Sequence, residues 1–334
     1  MIDHRRPLSR RRVIQSAAAV GAVATLPRAV RPVPARAEDV ALTLVAYSTP
    51  REAYEALIPL FQASEAGTGV VFDQSYGASG DQSRAVEAGL PADIVAFSLE
   101  PDITRLVKAG LVNEDWNADE HKGMVTDSVV VMAVRPGNPK NIQSWDDLLR
   151  DDVQTLTPNP LTSGGARWNI MAAWAAQIAQ GKTEEEAAEY LRQLFTHVPV
   201  QDKSARESLQ TFVGGVGDVL LGYENEMLLA QKNGEEIEFI IPAQTFLIEN
   251  PVAVVNTSAH PEQAAAFLAF LRTPEAQKVY GENGYRPVVT DVLETFEFPT
   301  PETLSTIADF GGWSEVTPKF FDPEKGIVAA VQAQ

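Results

Sequence analysis

The sequence of 334 residues contains no cysteine and only four histidines. The absence of cysteine excludes disulfide bonds, a thiol nucleophile and a zinc–thiolate site. The glycine-rich runs lack the lysine of a P-loop, and no G-x-G-x-x-G follows the first predicted strand, so ATP binding is not expected. Two acidic pairs, Asp146-Asp147 and Asp151-Asp152, do not have the spacing of an EF-hand. We therefore expect neither a cofactor nor a bound metal.

Basic residues are also scarce, since 27 lysines and arginines stand against 45 acids and the formal net charge is −18. Eight of the arginines and one acid lie in residues 1–37, so the remainder of the chain is more acidic still. Nucleic acids and anionic membrane surfaces are poor partners for such a chain. An anionic ligand would be repelled at long range, so a site for one must rely on local hydrogen bonds.

Residues 1–37 have the features of an export signal rather than of a folded domain. Ser9–Ile14 include three consecutive arginines and match a twin-arginine motif. The apolar segment Ala17–Leu26 is too short to span a bilayer permanently, and Ala35-Arg36-Ala37 is an A-x-A cleavage site. Because no cysteine follows to carry a lipid anchor, we expect a soluble periplasmic or other extracytoplasmic protein that begins at Glu38.

Strand and helix patterns alternate along the rest of the chain. From Ala41 to Ala109, three strand-like apolar runs are each followed by a helical segment, an order typical of a mostly parallel sheet covered on both faces. Two later strands, Ser128–Arg135 and Val252–Asn256, are placed to cross between lobes. We predict an α/β fold with two lobes, each a mostly parallel sheet flanked by helices. Residues 38–127 plus 251–334 form lobe 1, and residues 128–250 form lobe 2.

The most informative stretch is residues 158–169, Pro-Asn-Pro-Leu-Thr-Ser-Gly-Gly-Ala-Arg-Trp-Asn. It follows the apolar run Val153–Leu156 and precedes an alanine-rich helical segment, so two hydroxyls and two glycines stand at a helix N-terminus. Unpaired backbone N–H groups and the helix dipole favour an anion there, and glycine lets it approach the backbone closely. An ordinary helix cap by Thr162 or Ser163 explains the same residues. This stretch alone does not decide between the two interpretations.

Small polar residues occupy four strand-to-helix turns in all. Ligands of open α/β sheets bind outside the carboxyl ends of the strands, where such turns gather. The tight parts of these turns contain no lysine or arginine, which favours recognition of a dianion by neutral donors and helix dipoles. The four turns are Ser48-Thr49, Ser75–Gly80, Thr162–Gly165 and Ser204-Ala205.

Several stretches, in the same order, resemble those of the periplasmic sulfate-binding proteins of ABC importers over nearly the whole predicted mature chain. Thr162–Asn169 is the most specific of them. The resemblance implies a periplasmic-binding-protein fold of type II-like topology that closes over sulfate in the cleft between its lobes. It also implies delivery of sulfate to a membrane permease, without catalysis. The other matching stretches are Gln74–Gln82, Ala92–Val95, Arg135–Lys140, Gly217–Glu226 and Tyr285–Pro287.

Carried over position by position, the family's anion contacts fall on Ser48, Ser79, Ser163, Gly164, Gly165, Ala205 and Tyr223. The chain departs from the family at two of them, where Ser48 replaces an aspartate and Tyr223 a tryptophan. An indole N–H only donates, whereas a phenol also accepts. Hydrogen phosphate carries a proton that needs an acceptor and sulfate does not, so we expect sulfate preference with weaker discrimination than a tryptophan gives. Arg167 is expected behind the turn, tied to acidic side chains rather than to the anion.

Other ligands and one other class of protein remain open. Thiosulfate is the nearest alternative ligand, followed by molybdate and phosphate. A secreted hydrolase with Ser163 as nucleophile is the alternative of a different class, although the turn is not G-x-S-x-G and no triad order emerges. The histidines beyond the signal, His121, His197 and His260, are expected at surface or loop positions. We expect a monomer whose partners are sulfate and the permease with its ATPase complex.

Overall fold

The computed structural model of the protein describes residues 39–332. The predicted export signal, residues 1–37, lies outside the described residues. Between residues 39 and 332, no helix is long and apolar enough to cross a membrane. Strands and helices alternate along this part of the chain, which confirms the predicted α/β class.

The strands of the described chain join in one sheet of ten members. They are β1 (Val40–Tyr47), β2 (Val70–Gly77), β3 (Ile94–Ala96), β4 (Met124–Val134), β5 (Thr155–Leu156), β6 (Val219–Tyr223), β7 (Glu238–Ile240), β8 (Gln244–Val254), β9 (Arg286–Pro287) and β10 (Thr303–Ser305). The main order across the sheet is β2-β1-β3-β8-β4-β6-β5. β1 is parallel to β2 and β3, as predicted. Because β4 is antiparallel to β6 and β8, and β8 to β3, the sheet is mixed rather than mostly parallel.

Helices pack against strands at both ends of the sheet. The α-helices are α1 (Arg51–Ala63), α2 (Ser79–Glu87), α3 (Glu100–Lys108), α4 (Gly164–Ala179), α5 (Glu184–Thr196), α6 (Ala205–Val213), α7 (Glu224–Lys232), α8 (Pro261–Leu271), α9 (Pro274–Glu282), α10 (Thr290–Leu293), α11 (Trp313–Phe320) and α12 (Ile327–Gln332). The short helix predicted after Ser144 is a 3-10 helix, Trp145–Leu149. The predicted start of α5 is confirmed, because Thr183 and Glu186 form a capping box there.

The two longest strands, β4 and β8, connect the two ends of the sheet. The first part of β4 pairs with β8, with Ser128 opposite Ile248. Its second part pairs with β6, where Val130 lies opposite Tyr223. β8 then continues through residues 252–254 to pair with β3. If the two ends of the sheet moved relative to each other, these two strands would therefore have to bend.

The sequence pattern reveals β8 and the C-terminal segment only in part. The strand predicted at Val252–Asn256 overlaps only the last three residues of the 11-residue strand β8, whose earlier part contains polar residues and Pro251. The predicted proline-containing C-terminal segment folds into several short helices. One of them is α9, with Thr273 as its N-cap and Pro274 in its first turn. These helices are too short to show a clear helical period in the sequence.

The helix α4 is buried almost all round, since it packs against β8 on one side and α5 on another. Trp168 is fully buried, and its ring centroid lies 4.9 Å from that of Trp313 in an edge-on arrangement. The alanines of α4 are small, which allows neighbouring elements to approach its axis closely. This packing holds the N-terminal turn of α4 in a fixed place relative to the sheet.

Candidate functional site

One small pocket lies where the ends of several strands meet the starts of helices. About 180 Å³ of space free of protein atoms lies between its lining residues, and part of that space is open to solvent. All seven residues predicted to contact an anion line it, and every residue of its lining is uncharged. The lining consists of Tyr47, Ser48, Thr49, Gly77, Ala78, Ser79, Ser98, Ser163, Gly164, Gly165, Ser204, Ala205 and Tyr223.

Three helices have their first residue in this lining, and a fourth begins directly after it. The first residues of α2, α4 and α6 are Ser79, Gly164 and Ala205, and α7 starts after Tyr223. Helix N-termini carry backbone N–H groups without helical partners and a partial positive charge. Their convergence makes a neutral pocket attractive to an anion without any cationic side chain.

Ser163 combines two of the roles that the sequence leaves open. It is the N-cap of α4, and its Oγ accepts a hydrogen bond of 3.4 Å from the N–H of Ala166. It is also buried and lines the pocket. The hydroxyl proton is not needed for the cap, since the cap uses the oxygen as an acceptor. The helix-cap and anion-site interpretations are therefore compatible.

The two glycines after Ser163 sit where no side chain would fit. A Cβ atom on Gly164 would lie 2.4 Å from Oγ of Ser98. A Cβ atom on Gly165 would lie 2.9 Å from the ring of Tyr223 and 3.2 Å from the Cβ of Ala205. Glycine at both positions lets the turn lie directly against the opposite wall of the pocket.

Ser79 has its hydroxyl group committed to the protein. Its Oγ donates to Oδ2 of Asp102 at 2.6 Å and accepts from the N–H of Ser98 at 3.0 Å. Asp102 is buried, and burial raises the pKa of its carboxyl group. The next residue, Gly80, donates its N–H to the carbonyl of Thr162 at 2.9 Å. These bonds tie the start of α2 to β3 on one side and to the turn before α4 on the other.

Tyr223 reaches the pocket from the end of β6. Its hydroxyl oxygen lies 2.6 Å from Oγ of Ser98, and either group can donate. The side chain is buried, and burial raises its pKa well above the usual value, so the phenol stays neutral. The carbonyl of Ser98 accepts from the indole N–H of Trp168 and the amide of Asn250, both at 2.9 Å. Ser98 therefore connects β8, α4 and β6 at the pocket.

Ser48 and Ala205 occupy opposite turns of the lining. Ser48 follows β1 directly and precedes α1, and it is partly buried. Ala205 is the first residue of α6, whose N-cap Ser204 accepts from the N–H of Glu207 at 3.2 Å. Because the Ser204 hydroxyl serves that cap, the backbone of Ala205 is held at the pocket wall.

A cluster of charges stands immediately behind these uncharged turns. Arg206 lies 2.7 Å from a carboxylate oxygen of Glu52 and 2.8 Å from one of Glu226, and it donates to the carbonyl of Thr49 at 3.1 Å. Burial disfavours the charge of Arg206, but its bonds to the two glutamates outweigh this and raise its pKa. One guanidinium thus stands between two carboxylates in this cluster, and none of the three residues belongs to the lining of the pocket.

Arg167 is expected from the sequence to lie behind the turn and to be tied to acidic side chains, whereas its hydrogen bond and its aromatic contact are with other groups. Its Nε donates to the carbonyl of Pro160 at 3.0 Å, and its guanidinium lies over the ring of Phe321, 4.9 Å from the centroid. No acidic side chain of residues 39–332 lies within 4 Å of it, although Asp102 is near enough to favour its charge. The carbonyl comes from the same turn and the aromatic ring from the C-terminal segment, and together they take the place of the carboxylate.

The structure also brings residues to the pocket that the sequence analysis does not select. Ser98 follows a strand and precedes a helix beginning with Glu100, so the same turn pattern could have identified it. Thr49 and Ser204 belong to predicted turns, but only their neighbours were predicted as contacts. Tyr47 ends β1, and its buried hydroxyl has no hydrogen-bond partner among the described residues.

The chemistry of a hydrolase or a metalloprotein is not assembled at the pocket. No histidine belongs to the lining, and the hydrogen bond found for the Ser163 hydroxyl group is to a backbone N–H. Nε2 of His121 lies 3.8 Å from a carboxylate oxygen of Glu120, its neighbour in the sequence. Among residues 39–332, no group of three or more acidic or histidine side chains could hold a metal ion.

Comparison with known proteins gives consistent matches over most of the chain. A family model described as bacterial extracellular solute-binding protein matches residues 42–286. A sulfate-binding protein of Synechococcus elongatus is 43% identical over 295 residues, which cover 85% of this chain and 84% of that protein. A thiosulfate-binding protein of Pseudomonas aeruginosa is 35% identical over 291 residues, which cover 83% of this chain and 88% of that protein.

A solved structure shows the same fold. The sulfate-binding protein SubI of Mycobacterium tuberculosis H37Rv superposes with a TM-score of 0.83 at 49% sequence identity. The match covers 85% of this chain and 100% of that chain. The predicted fold class is confirmed by this match, with the mixed sheet described above.

Proposed function

Because the chain belongs to the family of bacterial extracellular solute-binding proteins, we propose that it captures sulfate outside the cytoplasm and delivers it to an ABC importer. The observation that carries this proposal is the pocket lined only by uncharged residues at the starts of several helices. Such a pocket suits a dianion held by hydrogen bonds and helix dipoles. The sulfate-binding and thiosulfate-binding relatives support the same class of ligand. The protein binds without catalysing a reaction.

The anion is held by donors from both walls of the pocket. On one wall, the hydroxyl of Ser163 and the backbone N–H groups of Gly164 and Gly165 contact it. Ala205 also contributes its N–H group, and Tyr223 its phenol. The position of each residue in the lining supports these assignments. The Ser163 hydroxyl also has a proton to donate, because the helix cap uses only its oxygen as an acceptor.

On the opposite wall, Ser48 and Ser79 contact the anion. Ser79 uses its backbone N–H, because its hydroxyl proton already goes to Asp102. Ser48 offers its N–H and a hydroxyl where the family has an aspartate, and a hydroxyl adds a donor without adding a negative charge. Arg167 stabilises the turn from behind and does not touch the ligand.

The pocket opens and closes by movement of two lobes, residues 38–127 plus 251–334 and residues 128–250. The path of β4 and β8 supports this division, since they run between the two ends of the sheet. The bond from Gly80 to Thr162 and the ion pair between Glu52 and Arg206 link the proposed lobes around the pocket. A ligand that bridges both walls favours the closed state, which the permease and its ATPase complex recognise.

Thiosulfate is the second candidate ligand, because a thiosulfate-binding protein is similar over most of both chains. In thiosulfate, a sulfur atom replaces one oxygen of sulfate, and this sulfur atom is larger than oxygen and a weaker hydrogen-bond acceptor. The alanine side chains of the lining, Ala78 and Ala205, offer the apolar contact that such an atom tolerates.

We also propose that the protein works in the periplasm as a monomer and is exported by the twin-arginine route. The motif at Ser9–Ile14 supports the route, and the match to the extracellular solute-binding family supports a location outside the cytoplasm. Replacing Arg11 and Arg12 by lysine should retain the protein in the cytoplasm, which cell fractionation measures. Export that persists in this variant but stops when the general secretory pathway is blocked would refute the route.

Isothermal titration of the purified chain with sulfate, thiosulfate, molybdate and phosphate tests the proposed function. We expect sulfate to bind most tightly, and Ser163→Ala to weaken it by about tenfold through the loss of a hydrogen bond to a charged ligand. Ser144→Ala is the matched control, because Ser144 is also an N-cap but belongs to the 3-10 helix Trp145–Leu149. A wild-type chain that binds none of these anions, or an equal effect of the two substitutions, would contradict the proposal.

A further inference from the structure

Two asparagine–glycine pairs occur in the chain, Asn233-Gly234 and Asn283-Gly284. Each asparagine is the C-cap of a helix, Asn233 of α7 and Asn283 of α9. The φ and ψ angles are −83° and 1° at Asn233, and −97° and 14° at Asn283. Each glycine has a positive φ, 89° at Gly234 and 84° at Gly284. The two pairs therefore have the same chemistry in nearly the same backbone conformation.

The peptide nitrogen that follows an asparagine can attack the side-chain amide of that asparagine. The nitrogen bonds to Cγ, its proton passes through water to the leaving amide nitrogen, and ammonia departs to leave a cyclic imide. Water then adds at either carbonyl and opens the ring to aspartate or isoaspartate. Glycine after the asparagine favours this reaction, because it has no Cβ atom to hinder the nitrogen. Both pairs thus have the sequence that the reaction needs.

The backbone conformation opposes the reaction at both pairs. A ψ near zero at the asparagine holds the glycine nitrogen away from the side-chain amide of the same asparagine, so the end of the helix must open before the ring can close. Local opening costs little where the backbone is exposed and much more where it is packed. The surroundings of each pair therefore decide its reactivity in the folded protein.

The surroundings of Asn283 resist such an opening. Its side chain is partly buried, and Nδ2 donates to the carbonyl of Val279 at 2.8 Å. Gly284 is buried against α7, where a Cβ atom would lie 3.1 Å from Cα of Asn225 and from Cβ of Leu228. Rotation of the peptide between Asn283 and Gly284 would break this hydrogen bond and separate Gly284 from α7.

The surroundings of Asn233 do not resist it in this way. Asn233 and Gly234 are both exposed, and a Cβ atom on Gly234 would have no atom within 4 Å. The N–H of Gly234 donates to the carbonyl of Gln231 at 3.0 Å, within the last turn of α7. Only the fraying of an exposed helix end is therefore needed to bring the Gly234 nitrogen to the side chain of Asn233.

We propose that Asn233 is a site of spontaneous deamidation in the folded protein, whereas Asn283 is protected by its hydrogen bond and by the packing of Gly284. The co-reactant is water. The product has a carboxylate at the C-terminus of α7, where the helix dipole disfavours a negative charge.

The isoaspartate form also lengthens the main chain between residues 233 and 234. The N–H groups of Gly234 and Glu235 now donate to the carbonyls of Gln231 and Ala230, both at 3.0 Å. The added carbon atom displaces these two donors from the end of the helix. Deamidation should therefore loosen the last turn of α7, which faster amide hydrogen exchange would show.

Incubation of the purified chain at mildly alkaline pH, with peptide mapping by mass spectrometry at intervals, tests the proposal. We expect Asn233 to convert at least about tenfold faster than Asn283 in the folded chain, because the end of α7 opens more readily. In concentrated urea the two asparagines should convert at similar rates, since glycine follows both of them.

Two variants identify the source of the acidic form that ion-exchange chromatography should detect first. Asn233→Gln should remove this form, because glutamine would have to close a larger ring. Asn117→Gln is the matched control and should leave the form in place, since Asn117 is also exposed but alanine follows it.

Three results would overturn the proposal. In the first, Asn283 converts as fast as Asn233 in the folded chain. In the second, Asn233 is preferred as strongly in urea, so that the local sequence and not the fold is the cause. In the third, Asn233 of the folded chain stays intact while the unfolded chain converts fully. None of these results depends on whether the chain binds sulfate.

Discussion

Arg206 and Glu52 join the first turn of α6 to the first turn of α1, with 2.7 Å between Nη1 and Oε1. They are 154 residues apart in the sequence. Arg206 directly follows Ala205 and also contacts the carbonyl of Thr49, so the ion pair lies immediately behind two walls of the pocket. The second partner, Glu226, is 1% exposed. Charge thus supports the shape of the pocket while the lining itself remains uncharged.

Replacing Arg206 by glutamine should destabilise the protein by about 3 kcal/mol, because it leaves the buried Glu226 without its partner. Urea unfolding measures this loss. Adding Glu226→Gln should restore part of it, since the uncompensated charge is then removed. The control is Arg192→Gln, which breaks an exposed pair with Glu189 and should have little effect. Equal losses for Arg206→Gln and Arg192→Gln would contradict the structural role of the cluster.

Gly164→Ala should weaken sulfate binding about five- to 100-fold, because the new methyl group would press on Ser98 at 2.4 Å and displace the turn. Gly77→Ala is the comparison, since it also lines the pocket but its Cβ would lie 3.4 Å from the nearest atom, an ordinary contact. Titration calorimetry of both variants checks the expectation. An equal loss of sulfate affinity in Gly77→Ala and Gly164→Ala would contradict the prediction.

Ser79→Ala and Ser163→Ala should have opposite profiles. Ser79→Ala leaves the N–H of Ser98 and the carboxylate of Asp102 without partners, so it should cost about 1–3 kcal/mol of stability. Its effect on sulfate affinity should be smaller than that of Ser163→Ala, because the anion contact of Ser79 is through the backbone. Thermal unfolding and calorimetry on the same preparations separate the two effects. A larger loss of affinity for Ser79→Ala would show that its hydroxyl binds the ligand.

Asp127 on β4 should make stability depend on pH. Burial and the negative charge of Glu249 raise the pKa of Asp127, whereas the positive charge of Arg286 lowers it. The net result is a pKa of about 8. The folded state therefore binds a proton more tightly than the unfolded state, and stability falls as pH rises from about 4 to about 8.

The variant Asp127→Asn should flatten this dependence and gain stability relative to the wild type at the alkaline end. Urea unfolding across that pH range measures the difference. Asp151→Asn, at an exposed position, is the control and should leave the pH dependence as it is. Parallel wild-type and Asp127→Asn curves would contradict the prediction.

Much of the pocket could be predicted because its residues lie in short local patterns. Thr162–Gly165 place small polar residues at the start of a helix, and so does the end of the predicted Ser75–Gly80 turn, although Ser75–Gly77 belong to β2. The hydrogen-bonding needs of a helix start are local. The same holds for Thr183 and its capping box. Strand-to-helix turns at one edge of a sheet then gather at one place by topology alone.

The rest depends on contacts that no local pattern contains. The partner of Tyr223 is Ser98, and the distance of 125 residues between them leaves no periodic signal. Arg167 finds a carbonyl and the ring of Phe321 instead of a carboxylate, because tertiary packing decides which groups are within reach. The earlier part of β8 is not predicted because Glu249, Asn250 and Pro251 interrupt its apolar residues, and such a sequence lacks the pattern of a buried strand.

The uncharged lining has a consequence for the conditions in which the protein can work. Its ionisable groups are Tyr47 and Tyr223, and burial raises the pKa of both, so neither changes its charge in weakly acidic or weakly alkaline water. A receptor that used histidine or a lone carboxylate for the same anion would gain and lose affinity with every change in the acidity of its surroundings. A pocket lined by backbone amides and hydroxyl groups keeps the same charge over that range of acidity.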